Sequence, residues 1–169
     1  MDLPVGISVE LMDYIKQTYS LHWEGIHGFS HWVRVYENGM RLAQQNGANQ
    51  AVVTLFAFTH DIARLNDGGD HEHGPRAARR IRSELQGKFI QLPEGELDLL
   101  TQAVEQHTRG LMVADLTVQT CWDSDRLDLA RAGIIPAPHK LCTLEARDPE
   151  TIQWAVERSL KWRREHHGK

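Results

Sequence analysis

Apolar residues recur at intervals of three and four along most of this chain, the spacing of helices that each turn one face to a core. Leu11, Ile15 and Tyr19, with Met12 beside them, predict a first helix behind Ser8 as its N-cap. Gly25 and Gly28 break the pattern, and Ser30 then reads as the cap of a second helix carrying Trp32, Val35, Tyr36, Gly39 and Leu42. His31 falls in its first turn, and Asn46-Gly47 ends it. A third helix from Asn49 aligns Val52, Leu55, Phe56, Thr59 and Ile62, and delivers His60 and Asp61 at its C-terminal end.

Residues 66–74 are polar and glycine-rich, which predicts a loop. Pro75 suits the first turn of a fourth helix running through Ala78, Ile81 and Leu85 to Gly87. A fifth follows Pro93, with Leu97, Leu100, Ala103, Val104 and His107 inward. A sixth, from about Asp115 to Ala132, aligns Val118, Cys121, Trp122, Asp125 and Leu129 before Gly133 closes it. In that register Asp123 points away, Asp128 stays near the margin, and Asp125 is the best-buried carboxylate. Asp148-Pro149 opens a last helix with Ile152, Ala155, Val156 and Leu160 inward, ending in a basic, solvated turn over residues 161–169. No strand alternation or repeat competes, so the expectation is an all-α, single-domain bundle of six to seven helices over residues 1–169.

Composition narrows the function classes. The 169 residues are 41% hydrophobic and 25% charged, ordinary values for a globular chain. A formal charge of −4 gives no global attraction for a nucleic-acid polymer, and the basic run from Lys161 to Arg164 is followed by Glu165. No stretch approaches the roughly 20 apolar residues of a membrane span. Residues 1–17 carry Asp2, Glu10 and Asp13 without a long apolar run, which argues against a signal peptide. Cys121 and Cys142 suit a reducing compartment, and a cytoplasmic protein is expected. The oligomeric state is left open.

Ten histidines change the picture more than the charge does. His60 and Asp61 end an apolar helix, where a polar pair is costly to bury unless something meets both side chains, and a divalent cation would do so. His31 and Asp125 come from other helices with the same requirement. Imidazole and carboxylate donors suit Mn, Fe, Zn, Co or Ni, since no thiolate pulls the site towards a softer metal. His71 and His73 in the glycine-rich loop, and inward His107, are further possible ligands, enough for one ion or two.

The succession of His31, His60-Asp61 and Asp125, with His31-Trp32-Val33-Arg34-Val35 and Asp123-Ser124-Asp125-Arg126-Leu127-Asp128 around its ends, resembles the HD-domain superfamily of metal-dependent phosphohydrolases. The resemblance implies a first metal on His31, His60, Asp61 and Asp125. It also implies, for the binuclear members, a second on His73 and His107 with Asp61 as bridge. Hydrolysis of a small phosphorylated substrate by a metal-activated water follows from such a site. Arg34, Arg64, Arg76 and Arg109, each close in sequence to a proposed ligand, are candidates to grip the phosphate. Asp61, Asp67 and His27 are candidate catalytic groups: Asp67 as general acid, as a partner of a ligand histidine, or only as an Asx-turn residue, and His27 as a proton donor or pocket wall. Two other readings stay open, a diiron oxygenase with the same ligands and a metal-stabilised binding or regulatory module without turnover.

Overall fold

The computed structural model describes residues 3–167. Met1, Asp2 and the end of the basic tail at Gly168 and Lys169 lie outside the described residues.

Ser8 accepts a hydrogen bond from Leu11 N at 3.1 Å and starts α1 (Val9–Thr18), which buries Leu11, Met12 and Ile15. α2 (Phe29–Asn46) starts earlier than the position of Ser30 suggests, because Gly28 is its N-cap. The chain doubles back there so tightly that a Cβ at residue 28 would lie 2.0 Å from the Trp23 carbonyl oxygen. Ser30 is therefore inside the first turn, where its Oγ is buried without a partner among the described residues.

Asn49 caps α3 (Gln50–Thr59) by accepting from Ala51 N and Val52 N. Every residue from Val52 to Thr59 is buried, the mark of a helix surrounded by protein on all sides. α2 and α3 run close together at Gly39, where a Cβ would meet Val53 Cγ1 at 2.5 Å. α5 (Glu94–Gln106) and α6 (Leu116–Arg126) pack on other faces of α3, and α4 (His73–Arg80) lies against α5. α4 continues into a π turn, Ile81–Leu85. It also begins at His73, so this histidine belongs to a helix and not to the loop before it.

The last third departs most from the expected pattern. α6 stops at Arg126, and the chain tightens into a 3-10 turn, Leu129–Ala132, where a single helix to Ala132 was expected. Asp123 does point away from the histidines, yet it is fully buried, accepting from Cys142 N at 2.8 Å, Thr143 N at 2.7 Å and Thr143 Oγ1 at 2.8 Å. It thereby anchors the start of a short extra helix, α7 (Leu144–Arg147), which takes the count to eight among the described residues.

α8 (Pro149–His167) then packs over α2 and the 129–132 turn. Its buried line is Thr151, Ala155, Ser159 and Trp162, whereas Ile152, Val156 and Leu160 are half-buried. The fold is all-α, and among the described residues only an isolated bridge between Gln86 and Ile90 has β character. No described helix is long and apolar enough to cross a membrane.

Asp123→Ala is expected to destabilise the protein by about 2–4 kcal/mol in urea unfolding, since the buried Thr143 N–H and the half-buried Cys142 N–H lose their acceptor. Metal content measured on the folded variant should stay near that of the parent.

Candidate metal centre

The buried α3 brings its C-terminal end to the middle of the protein, and His60 and Asp61 arrive there as a fixed pair. His31, in the first turn of α2, places Nε2 3.1 Å from His60 Nε2 and 3.4 Å from Asp125 Oδ1 at the end of α6. A second group lies alongside. His73, the first residue of α4, and His107, at the turn after α5, bring their Nε2 atoms to 2.8 Å from each other. His73 Nε2 is 3.0 Å and His107 Nε2 3.7 Å from Asp61 Oδ1. The other Asp61 oxygen, Oδ2, is 3.7 Å from His60 and 3.8 Å from His31. Asp61 thus stands between the two groups with one oxygen turned to each. His71, by contrast, is exposed and outside both.

The ring orientations show what this arrangement is suited to hold. Each of the four imidazoles has Nδ1 against an acceptor: Asp128 Oδ2 at 2.7 Å for His31, the Phe56 and Ala57 carbonyls at 3.2 Å for His60, Asp70 O at 2.5 Å for His73 and Val104 O at 2.6 Å for His107. A carbonyl cannot donate, so the ring proton is assigned to Nδ1 and the Nε2 lone pair faces inward. Burial pushes the His60 pKa down to about 3, and burial together with nearby Arg131 also lowers that of His31. Two neutral rings directing lone pairs at each other need a cation near both, and the donor set of imidazoles and carboxylates fits a divalent transition metal.

The second group also attracts positive charge. Burial opposes protonation of His107, but the Asp61 carboxylate, 3.7 Å from Nε2, and the charge of Asp125 raise its pKa. Asp61 is held well below the usual carboxylate range, because the surrounding imidazoles, His60 foremost, outweigh its burial.

Behind the ligands lies a layer that the sequence pattern did not reveal. Asp128 is fully buried while the Asp125 side chain remains 16% exposed, the reverse of the expected order. Besides His31, Asp128 accepts from Arg34 Nε at 2.7 Å, Arg34 Nη2 at 3.0 Å and Ser159 Oγ. Burial opposes its charge, but these bonds and Arg131 hold its carboxyl far below the ordinary range. Its position three residues after Asp125 was the available signal. Ser159 had none, being a polar residue on the buried line of α8.

Most of the expected phosphate-binding arginines have other partners. Arg34 is held by Asp128 and lies over the Trp162 ring at 4.8 Å. Arg64 donates to Asp61 Oδ1 at 3.1 Å and to the Asn66 and Gly68 carbonyls, bracing the glycine-rich loop. Arg76 bonds Asp70 Oδ2 and the Ala63 carbonyl. Arg109 is exposed. Asp67 is exposed too, and the local turn is made by Asn66, whose Oδ1 accepts from Gly68 N at 2.9 Å. His27 reaches the centre, with Nδ1 3.1 Å from Asp61 Oδ2.

A family model for the HD domain matches residues 28–168, which contain both histidine groups, Asp61 and Asp125. The chain belongs to the HD domain family. The fold of this HD domain is similar to that of a predicted HD superfamily hydrolase from an uncultured Thermotogales bacterium, known from its crystal structure. The TM-score is 0.66 at 21% sequence identity, over 90% of this chain and 87% of the other. No curated protein matches the sequence. The paired histidine groups around Asp61 are thus set within an HD domain.

Asp128→Asn keeps the shape beside His31 and removes the charge that orients it. Competition with a chelator should show metal affinity reduced by about 10–100-fold in a variant that remains folded.

Proposed function

We propose that this HD domain hydrolyses a small phosphate ester at a site for two divalent ions, one on His31, His60 and Asp125, the other on His73 and His107, with Asp61 shared. The observation that carries the reading is the Asp61 carboxylate, with an oxygen turned to each of two inward-facing imidazole pairs. Divalent ions held by these residues would supply positive charge for phosphate oxygens and would acidify water for attack on phosphorus near neutral pH.

The chain's own residues fix the geometry for that chemistry. Nδ1 bonds to Asp128 and to main-chain carbonyls hold the four rings so that they do not turn during the reaction. Arg64 and His27 keep Asp61 oriented, one on each oxygen. The His27 side chain is 12% exposed, which places it at the rim, suited to protonating a leaving oxygen through Nε2. An overall negative charge favours a small ester over a nucleic-acid polymer.

The test is a panel of phosphomonoesters and phosphodiesters with metal-free protein reconstituted with Mn²⁺ or Co²⁺. Phosphate release is expected with at least one class, and Asp125→Ala should lose about 100-fold or more in activity together with bound metal. Oxygen uptake by the iron-loaded protein without phosphate release would replace the reading with the oxygenase one, and neither activity would leave a binding module. Elemental analysis of His107→Ala should find about half of the parent's bound metal, and undiminished stoichiometry would argue for one ion.

A further inference from the structure

Arg34, Arg64 and Arg76 are each engaged with protein acceptors, so a phosphate oxygen that the metal ions do not meet needs another donor. The 129–132 turn supplies one. Arg131 is only 5% exposed, and two anchors fix its guanidinium: Nε donates to the Ile26 carbonyl at 2.9 Å and Nη1 to the Asp128 carbonyl at 3.1 Å. Nη2 makes no hydrogen bond among the described residues and stands 4.0 Å from Asp125 Oδ1, too far for one.

The direction in which that nitrogen lies is informative. Side chains of the other grouped residues, His31, His60, Asp61, His73 and His107, are 3% exposed or less, whereas Asp125 is 16% exposed. The centre therefore opens to solvent on the Asp125 side, where Arg131 presents its free edge. Ile26, which holds Arg131, is followed by His27, so the same anchor ties the turn to the loop carrying the proposed proton donor. A cation already held in place, with one N–H₂ unused beside the open ligand, is preorganised for an oxyanion.

We propose that Arg131 is the phosphate-binding cation of this site, its Nη2 donating to an oxygen of the substrate's phosphoryl group on the Asp125 side. This deepens the hydrolase reading and rests on it for the substrate, while the anion site is testable without turnover. Calorimetric titration of the metal-reconstituted protein with inorganic phosphate is the direct measurement. Arg131→Lys keeps the charge and a donor for Ile26 but removes the second arm. At unchanged metal content and thermal midpoint, it should weaken phosphate binding tenfold or more.

Phosphate affinity equal to the parent's in folded, metal-loaded Arg131→Lys would overturn the proposal. If that variant does not fold, crystals of the parent protein grown with tungstate decide. Arg131 Nη2 within hydrogen-bond distance of the oxyanion supports the assignment, and an oxyanion held by Arg109 or by no arginine, or none bound, overturns it. Arg131-dependent phosphate binding without ester cleavage would leave this inference standing and remove the hydrolase reading. Ester cleavage with phosphate affinity indifferent to Arg131→Lys would do the reverse.

Discussion

Four imidazoles and the Asp61 carboxylate share the centre of a helical core, and the structure depends on meeting every one of their polar atoms. Leaving such a group unpaired away from water costs on the order of several kcal/mol. The outer side of each ring is satisfied by protein: a carboxylate for His31 and main-chain carbonyls for His60, His73 and His107. The inner side is not, because pairs of Nε2 atoms approach each other at 3.1 and 2.8 Å. The core is thus complete on its outside and in need of positive charge on its inside, which is why a metal reading follows from the hydrogen bonds as well as from residue types.

The same requirement explains the order of the helices around α3. That helix is apolar on all sides and can only lie in the middle, so its end delivers His60 and Asp61 to a place that α2, α4, α5 and α6 all reach. The two groups draw on different neighbours, His31 and Asp125 from α2 and α6, His73 and His107 from α4 and the turn after α5. Asp61 joins them. Docking of α8 belongs to the same system, since Ser159 bonds the carboxylate that orients His31 and Trp162 lies under the Arg34 guanidinium that neutralises it. The last helix, which carries none of the grouped ligands, therefore acts on the centre through Asp128.

Helix 6 shows how register and burial can part. A continuous helix to Ala132 places Asp125 inward and Asp128 at the margin. The observed tightening after Arg126 moves Asp128 into the protein, where His31, Arg34 and Ser159 meet it, and leaves Asp125 at the open side. α8 repeats the lesson from the other direction, because its inward line contains Thr151 and Ser159 while Ile152, Val156 and Leu160 are only half-buried. A stripe drawn through the most apolar residues misses a face whose polar members have partners.

Local physics made the helices legible in the chain alone. Caps at Ser8, Asn49 and Asp115, the stop at Gly47 and the three-and-four spacing of Leu, Ile, Val and Phe act over a few residues, so they can be read without neighbours. The histidines and aspartates that converge were also legible, because an ionisable group on an apolar face has few reasons to be there. Which of those carboxylates is open and which buried, that His73 and not His71 turns inward, and that Arg34, Arg64 and Arg76 support the structure while Arg131 faces the opening were decided only by the tertiary fold. Those outcomes depend on hydrogen-bond partners tens of residues away, from Ile26 to Ser159, and the spacing within one helix carries no information about what will pack against it.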